Sequence, residues 1–102
     1  MSEFGVVVAA TEKALRVFAK GGEIDVEFVD WQSTGEQRVT LDGWVRIAPA
    51  DEGWGLYVGE EGGEFVLIDS DDDPLEIVKS AIVEVISGRT RDVLNEVLDG
   101  DS

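Results

Sequence analysis

Residues 23–69 hold five short segments in which apolar residues tend to alternate with polar ones, and turn-forming residues separate these segments. The clearest segment is "EIDVEFVDW", which begins with three acidic residues alternating with three apolar ones. A period of two predicts a half-buried strand. Between segments, Asp42-Gly43 is typical of a tight hairpin, and "STGE" and "EEGG" are typical of turns. Five strands with such short connections predict an antiparallel meander.

The first of these strands changes its alternation partway along. Ile24, Val26 and Phe28 share one parity, whereas Val29 and Trp31 have the other. A β-bulge adds one residue to a strand and so reverses its parity. We therefore expect a bulge near Phe28, with Val26 and Phe28 among the half-buried residues.

Helical patterns flank the strands. In residues 3–20 apolar residues recur at helical spacing, and Gly21-Gly22 is a typical helix end. The β-branched run "VVV" supports an alternative, in which a short strand at 5–9 precedes a helix from Thr11. We favour a single helix.

After the strands, Asp73 and Pro74 suit the N-cap and the first position of a helix, and Glu76 completes a capping box. Gly88 is a typical end for this helix, and a short final helix would follow it. The apolar residues of the first of these two helices form a stripe: Leu75, Val78, Ile82, Val85 and Ile86. Those of the final helix are expected to be buried: Val93, Leu94, Val97 and Leu98.

The predicted fold is α+β, in one domain that covers residues 1–102. It has an N-terminal helix, a five-stranded antiparallel meander and two C-terminal helices packed on one sheet face. The N-terminus, "MSEFGVVVAATEK", has no basic residues before its apolar run, unlike a signal peptide, and no run is long enough to span a membrane. A cytoplasmic protein is expected.

The chain contains neither cysteine nor histidine. It therefore lacks the ligands of a Cys-based zinc site and the commonest general base at neutral pH. The glycines between residues 53 and 63 match neither the dinucleotide fingerprint nor the phosphate-binding P-loop. Lys79 and Ser80 are adjacent on a helix and do not face each other as a catalytic pair. We expect a protein that is not an enzyme and has no cofactor.

Acidic residues outnumber basic ones by 23 to 8, so the net charge is −15. Binding to nucleic acid or to an anionic membrane needs a basic face, so neither is expected as a direct partner. The charge is uneven, because residues 51–73 contain 9 acidic residues and no basic one. Such a run favours either a surface that attracts a basic protein or a set of solvated acidic loops.

The segment "DSDDDPLE" partly matches a calcium-binding loop. Asp69, Asp71 and Asp73 have the spacing of its first three ligands. Pro74 stands where that loop needs glycine, and Ser80 stands where it needs a bidentate glutamate. Carboxylates at a helix N-terminus are favourable without a metal, because they meet the positive end of the helix dipole. Helix capping is the favoured interpretation, and weak calcium binding at Asp69–Asp73 stays open.

Two tryptophans fall in predicted strands. Alternation places Trp54 with Leu56 and Val58 toward the core, and Trp44 with Arg46 on the more polar face. A Trp beside an Arg on a sheet is a cation–π pair or a partner contact, unless the ring packs under a helix. The residues expected to contact a partner are Trp44, Arg46, Asp51, Glu52, Tyr57, Glu60, Glu61, Glu64, Asp71 and Asp72.

The pattern "LDGWVRIAPADEGWGLYVGEEGGEFVLID", followed by "DPLEIVKSAIVEVISG", resembles the sheet-and-helix layout of actinobacterial immunity proteins of polymorphic toxins. The resemblance covers residues 35–88 and concerns architecture, so it gives no single residue a role. It implies a protein that binds and neutralises a toxin.

These features lead to the hypothesis of a non-enzymatic protein that occludes a basic protein partner, such as an immunity or inhibitor protein for a toxin or nuclease. Two alternatives stand beside it. One is an accessory or structural domain of a halophile, acidic in order to stay soluble in salt. The other is a nucleic-acid mimic that inhibits DNA-binding proteins.

Overall fold

A computed structural model describes residues 3–18, 24–31, 33–60 and 62–99 of the chain. Helix α1 comes first, five strands follow, and helix α2 comes last. The predicted α+β fold, with its antiparallel meander between helical regions, is confirmed. The elements are α1 Glu3–Phe18, β1 Val26–Trp31, β2 Glu36–Leu41, β3 Val45–Pro49, β4 Trp54–Gly59, β5 Phe65–Asp71 and α2 Pro74–Asp99.

The strands form one sheet in the order β1-β2-β3-β4-β5, so each strand pairs with its neighbours in sequence. The turn between β2 and β3 is the predicted tight one: Asp42 and Gly43 have positive φ angles of 54° and 76°. Gly35 supplies a positive φ in the turn before β2. β1 and β5 are the two edges of the sheet.

The predicted bulge near Phe28 is wrong. β1 pairs with β2 in unbroken register from Val26 to Trp31. The buried residue of β1 is Val29, whereas Val26 and Phe28 are each more than one-third exposed. Helix α2 packs over β3, β4 and β5, so β1 lies at the sheet edge that is far from α2. The apolar residues of β1 therefore need not all point toward a covered face, and no bulge is required to turn them there.

The irregularity of the sheet lies in β5 instead. Leu56 pairs with Asp69 and Tyr57 pairs with Leu67, so the register shifts by one residue between these pairs. Ile68 is the extra residue of this bulge in β5.

Both helices contribute to a core on one face of the sheet. Trp54 lies in this core, as predicted: its ring stacks at 6.3 Å from the ring of Phe4, and its Nε1 donates to Glu3 Oε2 at 2.7 Å. These contacts attach α1 to β4. The buried core comprises Phe4, Val7, Val39, Leu41, Val45, Ile47, Trp54, Leu56, Ile77, Val78, Ala81, Ile82 and Val85.

Helix α1 is continuous over Glu3–Phe18, so the alternative of a strand at 5–9 is wrong. Thr11 is fully buried in it, and its Oγ1 donates to the carbonyl of Val7 at 2.7 Å. The predicted helix end at Gly21-Gly22 lies outside the described residues. No helix in the described part of the chain has the length and apolar character needed to cross a membrane.

Helix α2 begins where the sequence predicts. Asp73 acts as the N-cap, because its Oδ1 accepts a hydrogen bond from Leu75 N at 3.0 Å. The second half of the predicted capping box does not form. The N–H of Asp73 donates to Asp71 Oδ1 at 2.8 Å, and Glu76 accepts from Lys79 Nζ at 3.0 Å.

Gly88 lies inside α2, so both predicted C-terminal segments belong to one continuous helix of 26 residues. At about 1.5 Å per residue this helix is roughly 39 Å long, whereas β5 spans roughly 23 Å. The last turns of α2 therefore extend past the sheet, and their expected burial is wrong. Leu94, Val97 and Leu98 are all more than half exposed, and the side chain of Val93 lies outside the described residues. Leu75, expected in the buried stripe, is 44% exposed.

Candidate functional site

The structure separates the predicted partner-binding residues into three groups. The first group surrounds the start of α2, the second lies in the β4–β5 hairpin, and the third lies on or beside β3 and β4. Glu61 is outside the described residues. The first group comprises Asp51, Glu52, Asp71 and Asp72. The second comprises Glu60 and Glu64, and the third comprises Trp44, Arg46 and Tyr57.

The first group, together with Asp73, is called the loop cluster below. It forms because the β3–β4 loop packs directly on the end of β5. Gly53 in this loop has a φ of 71°, and a Cβ on it would lie 2.7 Å from Asp72 Cα. Glu52, Asp71 and Asp72 thereby line one open cavity of about 310 Å³. The sequence run of acidic residues thus becomes a spatial cluster.

Several carboxylates near the start of α2 are engaged with the backbone. Besides the bonds of Asp71 and Asp73 described above, Asp69 Oδ1 accepts from Ser70 N at 2.9 Å. These bonds hold the turn into α2, where acidic groups also favour the helix dipole. Within the described ranges, no three acidic side chains gather into a group that could hold a metal ion. The geometry supports the capping interpretation of this segment.

Glu60 and Glu64, called the hairpin pair below, lie at the opposite end of β5 from the loop cluster. Both side chains are exposed. The hairpin closes through a hydrogen bond from Gly63 N to the carbonyl of Glu60 at 2.8 Å, and Gly62 has a φ of 81°. Acidic groups therefore stand at both ends of the same strand.

Trp44 does not share a face with Arg46, and that prediction is wrong. Trp44 belongs to the connection between β2 and β3, where its N–H donates to the carbonyl of Leu41 at 3.2 Å, so strand alternation does not govern it. Its ring is half-buried and packs on α2 at Gly88, where a Cβ would lie 2.5 Å from its Cζ2. The open possibility that this ring packs under a helix is the one that the structure shows.

Arg46 lies on the opposite sheet face, in register with Thr40 on β2 and Tyr57 on β4. Its Cζ lies 3.7 Å from the centroid of the Phe65 ring, so the cation–π partner is Phe65 and not a tryptophan. Phe65 pairs with Gly59, whose lack of a side chain leaves room for the ring. This pairing depends on the β4–β5 register, so the sequence alone did not identify Phe65.

The Arg46–Phe65 stack forms one wall of an open cavity of about 490 Å³, which Asp25 and Glu27 also line. Burial lowers the pKa of the Arg46 guanidinium, and the nearby Arg38 lowers it further, whereas Glu36 and Glu27 oppose both effects. A guanidinium remains protonated at physiological pH even so. Its charge is covered by the ring and is partly offset by the acidic groups.

Sequence reasoning missed the exposed apolar centre of β5. Val66, Leu67 and Ile68 are 61%, 47% and 49% exposed and follow one another in the chain. The signal was present, because the last strand of a meander must lie at a sheet edge. Comparisons of the chain with family models, with curated proteins and with solved structures find no match.

Proposed function

We propose that this protein is a non-enzymatic binding protein that occludes a basic protein partner, and that it acts in the cytoplasm as an immunity or inhibitor protein against a toxin or nuclease. One observation carries this proposal: β5 presents exposed apolar side chains between two groups of acidic residues. An apolar centre supplies affinity through burial, and a charged periphery supplies attraction and specificity.

The two acidic groups are far enough apart to act separately. β5 has seven residues and therefore spans roughly 23 Å. Electrostatic screening at physiological ionic strength has a length of about 8 Å. A partner that engages both the loop cluster and the hairpin pair thus needs two basic patches, or one elongated basic surface.

The apolar residues distinguish this surface from acidic loops that serve solubility alone. Solubility in salt calls for a polar surface, whereas Val66, Leu67 and Ile68 expose a run of three large apolar side chains. Large apolar side chains that are exposed along an edge strand, with acidic residues at both ends, favour a protein-interaction site.

Association with the partner is expected to depend on salt. We would capture the partner from the source cells, purify it, and measure association and dissociation rates over a tenfold range of ionic strength. The association rate should fall by about tenfold or more as salt rises, while the dissociation rate changes little. Saturating amounts of the protein should abolish the activity of the partner.

Matched variants locate the charge that is responsible. The pairs Asp51→Asn with Glu52→Gln, and Glu60→Gln with Glu64→Gln, should each slow association several-fold. Glu12→Gln with Asp30→Asn removes the same charge away from β5 and should have little effect. A rate that ignores salt, or a saturated partner that remains active, would contradict the proposal.

Thermal unfolding distinguishes this function from salt adaptation. We expect the protein to be folded at about 0.1 M salt, with a modest rise in Tm at higher salt as self-repulsion among its charges is screened. Circular dichroism melts over a salt series measure this. A fold that is lost at every concentration below about 1 M salt would favour the halophilic alternative.

A further inference from the structure

The centre of β5 is weakly protected for a sheet edge. Edge strands are commonly blunted by lysine, by proline, by charged residues or by bulges. β5 has a bulge at Ile68 and carries Asp69 and Asp71 toward one end, but Phe65–Ile68 include no charged residue and no proline, and Val66, Leu67 and Ile68 are exposed. Among the described residues, no strand lies beyond β5. Within the described residues β5 therefore has a neighbouring strand on one side only, and another chain would pair on its other side.

The other edge, β1, is a poorer match for a basic partner. Glu27 and Asp30 interrupt its apolar residues, and Arg38 stands on the neighbouring strand, paired with Val29. Arg38, although ion-paired with Glu36, places a basic group beside β1, whereas β4 and β5 contain no basic residue.

Charge also argues against a second copy of this chain on β5. In an antiparallel pair of two β5 strands, the end with Asp69 and Asp71 in one copy would meet the end with Glu64 in the other. In a parallel pair, identical acidic residues would meet. Like charges placed opposite each other on strands are destabilising, and each copy carries a net charge of −15.

We propose that β5 binds an extended segment of the basic partner as a sixth strand of the sheet. This inference rests on the function proposed above and specifies how the partner binds. The segment has apolar residues at its centre, opposite Val66–Ile68, and Lys or Arg toward both ends, opposite the hairpin pair and the loop cluster. Backbone hydrogen bonds along the strand supply affinity, and the side-chain pattern supplies specificity.

A groove beside β5 gives the added strand a place for an apolar side chain. It lies between β5 and α2, has a volume of about 470 Å³, and is lined by Ile68 and Val83 among others. Val83 is 63% exposed there. Glu84 and Asp69 also line this groove, together with Lys79, whose Nζ is ion-paired with Glu76 at 3.0 Å. The acidic side chains of the groove therefore outnumber its basic one.

The test uses the full chain and three synthetic peptides of equal length. The first has alternating Val and Thr with two Lys at each end. The second has the same composition with its Lys at the centre, and the third has Glu in place of Lys. Binding is measured by calorimetry at low salt, and the contact site is mapped by amide NMR. We expect the first peptide to bind, to protect amides of residues 65–71 from exchange, and to bind more tightly than the other two.

A matched pair of variants tests the edge itself. Val66→Lys places a blocking charge on β5, and Val17→Lys makes the same change on α1 at a similar exposure, 61% against 58%. Val66→Lys should weaken peptide binding by at least about tenfold, and Val17→Lys by less than about twofold. Both sites are exposed, so both variants should fold, which circular dichroism checks.

Four results would overturn the strand-addition proposal: no binding of the first peptide, equal binding of the first and second peptides, full binding by Val66→Lys, or amide changes centred on the Arg46–Phe65 cavity. A wild-type dimer that Val66→Lys dissociates, seen by sedimentation, would assign the edge to a second copy instead. Inhibition of the captured partner is measured separately, so none of these results decides whether the protein is an inhibitor. Peptide binding at β5 alongside a captured partner that stays active would instead reject the proposed function alone.

Discussion

Replacing Gly53 by alanine is expected to lower the free energy of unfolding by about 3 kcal/mol or more. A Cβ at this position would contact the carbonyl oxygen of Asp71 and lie 2.7 Å from Asp72 Cα. Both are backbone atoms, so no side-chain rotation can relieve the contact. The φ of 71° adds a second penalty of about 1–2 kcal/mol for any residue with a Cβ. Urea unfolding followed by fluorescence measures the loss.

Gly35→Ala is the matched control. Gly35 has nearly the same φ, 72°, but a Cβ on it would have nothing within 4 Å. This variant should lose only about 1 kcal/mol, through the backbone conformation alone. If both variants lose the same amount, the β3–β4 loop does not pack on the end of β5 as described, and the loop cluster is not held together by Gly53.

Gly88→Ala is expected to destabilise the protein by about 1–2 kcal/mol, although alanine is the better helix former. In an exposed helix interior this substitution stabilises by about 1 kcal/mol. Here the new Cβ would lie 2.5 Å from Trp44 Cζ2 and 3.0 Å from Cη2, so the half-buried indole must shift out of its packing.

The sign of this effect should reverse when Trp44 is removed. In the background of Trp44→Ala, which is itself destabilising, Gly88→Ala should stabilise by about 0.5–1 kcal/mol, because only helix propensity remains. The four proteins form a double-mutant cycle with a coupling energy of about 2 kcal/mol, measured by urea unfolding. Equal effects of Gly88→Ala in both backgrounds would show that the ring does not rest on the helix at this residue.

Much of the fold follows from local chemistry that a sequence displays. Asp42-Gly43 specifies a tight turn because both residues tolerate positive φ, and Asp73-Pro74 specifies a helix start because one caps and the other fits the first turn. The two-residue period indicates the strands, and the short connections between them predict the meander. Gly88 shows the limit of such reasoning. Gly88 is needed because the ring of Trp44, from a hairpin distant in sequence, packs on the helix there. Local propensity alone predicts a helix end at this glycine.

The charge of the candidate site was predictable from the sequence, but the spatial arrangement of its residues was not. The acidic segment 51–73, which has no basic residue, is visible in the sequence. The separation of its acidic residues into two groups, one at each end of β5, depends on the pairing of β4 with β5. Arg46 was identified, but its partner was not, since Phe65 meets it only after the hairpin closes. The edge position of Val66–Ile68 follows from the meander, whereas the degree of their exposure depends on how α2 packs on β5.

The bond between Glu3 and Trp54 has a consequence for the order in which the chain folds. Its two residues are 51 positions apart, and α1 also packs on α2, at the other end of the sequence. Contacts of such long range form late, because the intervening chain must first be ordered. During synthesis on the ribosome, α1 emerges before the sheet and α2, so we expect it to dock last, with its apolar residues Phe4 and Val7 exposed until the sheet and α2 have formed.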